Sequence, residues 1–136
     1  DLDTLVAMDV GGTTTDISVV LDTGDKQLAY GEIAGAATSF ALPTILSFGL
    51  GGSSVLRVAN GALGIGPDSV GAAPGPACFG RGGTAATLTD ALLVAGVLDA
   101  EKYLGGELKL DRARAEQAIL ANVATPLGLG LDAAVA

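Results

Sequence analysis

The stretch that most constrains this chain is Asp9-Val10-Gly11-Gly12-Thr13-Thr14-Thr15-Asp16, a glycine-threonine turn between two apolar runs and bracketed by aspartates. Leu5-Val6-Ala7-Met8 precedes it and Ile17-Ser18-Val19-Val20-Leu21 follows. Both runs are short and β-favouring, so the expected structure is a β-hairpin with its tip at residues 11–15. Two adjacent glycines let the backbone double back and turn several N–H groups toward one point. Such a concave donor set, with threonine hydroxyls beside it, suits phosphate oxygens. Asp9 and Asp16 repel a phosphate but can hold a hydrated magnesium ion, which needs only one or two carboxylates. The same turn also occurs in β-proteins that bind nothing. A plain hairpin tip, however, has no need of carboxylates on both sides of a donor nest.

The chain has 136 residues, which predicts one domain with a real core. It is 49% hydrophobic and carries a net charge of −8. Its seven basic residues, Lys26, Arg57, Arg81, Lys102, Lys109, Arg112 and Arg114, are scattered, so a nucleic-acid footprint is not expected. There is no histidine, which removes the commonest general base and excludes a Ser-His-Asp or Cys-His mechanism within this chain. The single cysteine, Cys78, cannot form an internal disulfide and fits a reducing, cytoplasmic setting. The most apolar run, residues 91–98, is too short to span a bilayer, so no membrane role is expected. The high mean hydropathy, +0.54, predicts surface that another part of a longer protein covers. The expectation is therefore a fragment of a larger chain.

Past the hairpin, residues 22–25 read as a turn, 27–33 as a strand and 35–39 as a small-residue loop. Ile45-Leu46-Ser47-Phe48 reads as a buried strand running into Gly49-Leu50-Gly51-Gly52-Ser53-Ser54. Residues 54–58 and 62–65 predict a second hairpin turned by Asn60-Gly61. A long glycine-proline loop follows over residues 66–83, and loops of that length in compact domains are commonly functional. Thr87 or Thr89 predicts the cap of a helix through Leu98, with Asp90 near its positive end. Residues 99–104 predict a short helical turn ended by Gly105-Gly106. Asp111 predicts the cap of a helix to about Val123 with an Ala115, Ala118, Ile119 stripe, and residues 131–136 read as the start of another. These helices are expected to pack against a sheet. The predicted class is mixed α/β: β-rich over about residues 1–66, the loop over 67–86, and helices over 87–136.

In their order, residues 9–16, 49–54, 66–71, 74–83, 87–90 and 104–106 resemble the hydantoinase/oxoprolinase family, over roughly residues 4–120. Pro74-Gly75-Pro76-Ala77-Cys78-Phe79-Gly80-Arg81-Gly82-Gly83 is the specific part; the hairpin alone is shared with many proteins. The resemblance implies a ribonuclease-H-like half of an actin-like ATPase fold, in which two halves face each other across a nucleotide cleft. It makes residues 9–16 the phosphate hairpin of the second half. It also implies a first half before residue 1 and an adenosine-contacting glycine pair after residue 136.

The implied reaction is ATP-dependent hydrolysis of a cyclic amide such as a hydantoin or 5-oxoproline, with ATP and Mg2+ as cofactors. Phosphoryl transfer of this kind needs positioning and charge neutralisation more than covalent help. Gly11, Gly12 and Thr13 are then backbone donors, Asp9 the magnesium-water ligand, and Thr14, Thr15 and Asp16 hydroxyl and carboxylate support. Asp16 has a second possible role, as a base orienting water. Gly51 and Gly52, with the loop over residues 66–83, are expected to line the cleft. Partners implied are the rest of the parent chain and a second hydantoinase subunit. The fragment alone is expected to be inactive.

Two departures stand out. Better-known members carry an acid-isoleucine-histidine triplet where this chain has Thr44, Ile45 and Leu46, and a glycine where it has Ser53. The loss of both polar groups leaves room for an alternative: an actin-like nucleotide-binding or regulatory module without ring-opening activity. Cys78 has no zinc-ligand partners in its neighbourhood of the sequence.

Overall fold

The computed structural model describes residues 4–21, 32–37, 39 and 45–136. The chain divides into two compact units, one of Asp1–Val10 with Thr14–Phe48, the other of Gly11–Thr13 with Gly49–Ala136.

In the first unit the predicted hairpin forms from β1 (Thr4–Val10) and β2 (Thr15–Leu21), antiparallel from Thr4↔Leu21 to Val10↔Thr15. A third strand, β5 (Ile45–Phe48), pairs antiparallel with β2. Side chains alternate across a sheet, so the register puts Asp9, Asp16, Ser18 and Ser47 on one face. The other face carries Val6, Met8, Val10, Ile17, Val19, Leu46 and Phe48. The expectation that β5 is buried fails: Ile45, Leu46 and Phe48 are 50–60% exposed, and β1 is similar. The β-favouring run dictates a strand, but burial needs a second layer, and none of the described residues of this unit covers the apolar face.

A small ladder joins β3 (Glu32–Ile33) to β4 (Ala36–Ala37). Its turn holds Ala34 at φ 50° and Gly35 at φ 83°, the two positive values of a type I′ turn. Strand therefore occupies part of the expected 35–39 loop. The expected turn at 22–25, and residues 27–31 of the expected strand, lie outside the described residues.

In the second unit β6 (Ser54–Ala59) and β7 (Ala62–Ser69) form the predicted hairpin, with Asn60 and Gly61 at positive φ. β7 runs four residues beyond Ile65 to Ser69, absorbing the first part of the expected loop. Arg57 and Asp68 make an exposed ion pair across the hairpin at 2.8 Å.

Thr87 caps α1 (Leu88–Val94), its hydroxyl accepting from the Asp90 amide at 3.3 Å while the Asp90 carboxylate accepts from the Thr87 amide at 3.0 Å. This reciprocal capping satisfies two N–H groups that the first turn leaves orphaned. α1 stops short of the expected Leu98. Its last carbonyls, Leu93 and Val94, accept from the Arg112 guanidinium at 3.2 and 2.9 Å, and Gly96 takes φ 77° just beyond. A 3-10 turn covers Tyr103–Gly106.

Asp111 caps α2 (Arg112–Ile119) through the Arg114 amide at 3.1 Å. The helix then widens into a π-helical turn, Leu120–Ala124, before α3 (Thr125–Leu127) and α4 (Leu131–Val135). Pro126 accounts for the widening, because proline has no N–H and its ring crowds the carbonyl four residues back.

The expected packing of helices on a sheet is met at β6, whose Leu56 and Val58 pack with the helices, and the helices also pack on one another. Leu93, Val94, Ala115, Ala118, Ile119 and Val123 bury their side chains against one another and against Ala77 and Cys78. Among the described strand residues, Leu56 of β6 is buried in this cluster and Val58 packs against it. Residues 75–78 of the glycine-proline segment are buried. Among the described residues no helix is long and apolar enough to cross a membrane.

Candidate functional site

The hairpin tip is best understood from what holds it. Gly52 donates its amide to the Gly11 carbonyl at 3.0 Å, and Ser53 donates to the Gly12 carbonyl at 2.6 Å. In a planar trans peptide the C=O and the next N–H point in opposite directions. Two consecutive carbonyls turned toward residues 52 and 53 therefore turn the amides of Gly12 and Thr13 to the opposite side, together. Among the described residues these two amides and that of Thr14 have no hydrogen-bond acceptor, and all three residues are exposed. Successive outward N–H groups of this kind form an anion-binding nest.

Gly51 forms the floor beneath residues 11–13, the strap. A Cβ there would stand 2.6 Å from Gly11 O, Gly12 C and Thr13 N, which are all backbone atoms. Only glycine permits that approach. The Gly51 amide donates to the Ser54 hydroxyl at 2.8 Å, and the Gly52 carbonyl accepts from the Thr89 amide and hydroxyl at 2.9 and 2.8 Å. The amides of Gly51 and Gly52 are thus engaged within the protein, so these two glycines support the strap from behind. Gly12 differs: a Cβ there meets only Ser53 Oγ at 3.6 Å, ordinary contact. Ser53 is accommodated without crowding that position.

Within the first unit Asp9 and Asp16 are directly opposed across β1 and β2. Opposed pairs in a ladder bring their Cβ atoms to about 5 Å, and like charges there repel. They flank a concavity of about 340 Å³ lined also by Ala7, Met8, Ile17, Ser18 and Ile45. Ser47 on β5 donates its hydroxyl to Asp16 Oδ1. Neither aspartate makes an ion pair among the described residues. Two opposed carboxylates without a counter-cation fit a hydrated divalent ion. Thr14 is exposed, whereas Thr15 is only 8% exposed, opposite Val10 and Phe48. Thr44 lies outside the described residues, and Leu46 is 60% exposed.

The centre that sequence reasoning missed is Asp90. Its side chain is fully buried and accepts from Cys78 N at 2.8 Å, Thr87 Oγ1 at 2.7 Å, Thr87 N at 3.0 Å and Ala77 N at 3.2 Å. The spacing from Thr87 to Asp90 signals the helix cap; the reach to residues 77 and 78 has no local signature. Cys78 in turn accepts from the Asp111 amide at 2.8 Å through its carbonyl. One dipeptide thereby ties the first turn of α1 to the cap of α2.

This setting makes Cys78 inert. Burial pushes its thiol well above the usual range, and the negative charge of Asp90 beside it adds to the effect. Alkylation in the native protein at pH about 9, where a free thiol is mostly ionised, is expected to leave Cys78 unmodified until the protein is unfolded. Because unfolding releases a thiol of ordinary pKa, stability should also fall as pH rises above about 8.5. Rapid native-state labelling, mapped by mass spectrometry, would contradict this picture.

The framework is mixed α/β, and residues 11–13 are held by residues 52 and 53 with the Gly12 and Thr13 amides turned outward. The sequence profile described as Hydantoinase/oxoprolinase matches residues 1–136, and the chain belongs to that family. It is 36% identical over 128 residues to the acetophenone carboxylase gamma subunit of Aromatoleum aromaticum, covering 92% of this chain and 18% of that protein. It is 36% identical over 136 residues to caprolactamase subunit alpha of Pseudomonas jessenii, covering 98% and 19%. The nucleotide-free structure of acetone carboxylase superposes with a TM-score of 0.81 at 32% identity, covering 98% of this chain and 19% of that one. The chain thus spans about a fifth of the length of these relatives.

Proposed function

We propose that the protein containing this chain couples ATP hydrolysis to the opening of a cyclic amide, and that residues 11–13 cradle ATP phosphate oxygens. The observation that carries the reading is the pair of outward amides at Gly12 and Thr13, without an acceptor among the described residues and backed by Gly51. Phosphate oxygens accept hydrogen bonds only, so a rigid donor pair lowers the cost of organising them. Asp9 would hold magnesium through its water shell, with Asp16 beside it; the ion would supply charge neutralisation for the transferring phosphoryl group. The Ser47 hydroxyl fixes the Asp16 carboxylate, which suits either that support or the orientation of attacking water. In this reading the amide oxygen takes the γ-phosphoryl group and ADP leaves. Water adds at the activated carbon, and the ring C–N bond breaks with the nitrogen taking a proton. A second water hydrolyses the resulting acyl phosphate to carboxylate and phosphate.

Caprolactamase, whose name denotes action on a lactam, supports a cyclic amide as the substrate class. The relatives named as subunits support assembly with a second subunit and with the remainder of the parent chain. A lone buried thiol fits a cytoplasmic location. In the actin-like arrangement the resemblance implies, the strap would be one of two opposing phosphate hairpins. A second reading, nucleotide binding without ring opening or with carboxylation instead, is favoured by one residue: Leu46 supplies no polar group where better-known members have one.

The deciding assay is ADP release by the full-length protein with its cognate subunit. Turnover stimulated by hydantoin, 5-oxoproline or caprolactam supports the first reading. Stimulation only by a ketone with bicarbonate, or by none of these, selects the second.

A further inference from the structure

We propose that Ser69 is a positioning residue for the phosphate strap, acting through the hydroxyl of Thr13. Ser69 closes β7, and its Oγ lies 3.2 Å from Thr13 Oγ1. The same Ser69 oxygen accepts the Gly71 amide at 3.1 Å, and the neighbouring Val70 amide donates to the Ser53 carbonyl at 3.0 Å. Ser53 is the residue whose amide holds Gly12. Ser69 is therefore anchored to the backbone that anchors the strap, all within the second compact unit.

A hydroxyl has one hydrogen and two lone pairs. With the strap empty, either hydroxyl can donate to the other. An anion on the strap removes that freedom, because it can only accept. The Thr13 hydrogen then turns to the anion, and the bond to Ser69 survives only if Ser69 donates. The chain becomes Gly71 N–H to Ser69, Ser69 O–H to Thr13, and Thr13 O–H to a phosphate oxygen. Every donor points one way, and each bond polarises the next. Ser69 thus converts Thr13 into a third directed donor beside the amides of Gly12 and Thr13.

The inference rests on the phosphate reading of the strap, and the test separates the two. In the full-length protein, ADP affinity and the KM for ATP are measured for Ser69→Ala, Ser69→Thr, Thr13→Val and the Ser69→Ala/Thr13→Val pair, each with a thermal melt. Ser69→Ala should weaken ADP binding roughly five- to tenfold, the scale of one hydrogen bond to a charged group. Ser69→Thr, which keeps the hydroxyl, should restore binding. The pair should bind no worse than Thr13→Val alone, since Ser69 acts only through that hydroxyl. If Thr13→Val weakens binding and Ser69→Ala does not, the relay is wrong and the strap reading stands. An equal further loss from Ser69→Ala in the Thr13→Val background also overturns it, as the effect would then be general. If neither change alters ADP affinity, both the relay and the phosphate reading fall.

Discussion

Replacing Asp9 with alanine in the full-length protein is expected to lower ATP turnover by roughly 10²-fold or more, the usual scale for losing a preorganised electrostatic partner of the transition state. Folding stability should stay level or rise slightly. The two effects part company because of the ladder. Asp9 and Asp16 face each other directly, and no cationic side chain pairs with either among the described residues. Removing one of two opposed like charges relieves repulsion, which cross-strand pairs place at about 0.2–1 kcal/mol. In the native protein, magnesium should offset that repulsion and raise the melting temperature by mass action. The Asp9→Ala protein should lose that magnesium response. Turnover titrated against magnesium, alongside melts with and without it, tests the assignment. A loss of turnover matched by a loss of stability would remove Asp9 from its metal role.

The second large effect is on the fold alone. Asp90→Ala strips the acceptor from three backbone amides and one hydroxyl inside the protein. Leaving buried donors unmet after removing a charged partner costs about 3–5 kcal/mol. Asp90→Asn keeps the volume but swaps one acceptor oxygen for an NH2 group. The Oδ2 side already receives Thr87 Oγ1, Thr87 N and Ala77 N, and the Oδ1 side receives Cys78 N, so either amide orientation sets donor against donor. The asparagine variant should therefore be nearly as damaged. Hydrogen exchange of peptides over residues 76–90 reads this out, with amides expected to exchange roughly 10²- to 10³-fold faster in either variant. Native-like protection in Asp90→Asn would show that shape, not acceptor count, is what the site requires.

Much of the fold was legible locally. The Gly11-Gly12 turn, the Asn60-Gly61 turn, the Thr87 cap and the Asp111 cap all follow from short-range backbone chemistry, and each is where the sequence places it. What failed was the expectation that one strand is buried. The apolar run Ile45–Phe48 dictates a strand, but an exposed strand and a buried one share that pattern until something is packed on it. The helices are amphipathic, but their period does not say whether a sheet or another helix receives the stripe. The glycine-proline segment reads as a long loop, and what the sequence does not show is that its residues 75–78 are buried, with the Ala77 and Cys78 amides drawn to Asp90.

The candidate site divides in the same way. By itself the sequence determined the chemical inventory: a glycine pair able to turn, threonines beside it, two flanking carboxylates, and no histidine for any other mechanism. Those are properties of residue types and of spacings under eight positions. The tertiary structure decided which of these groups face outward. Residues 51–53 reach across from far along the chain, take the strap carbonyls and so release its amides; Ser69 arrives from farther still to meet Thr13. Hydrogen bonds between positions 41 to 56 residues apart leave no periodic trace in a single sequence. The turn is local, but the direction its donors point is a long-range property.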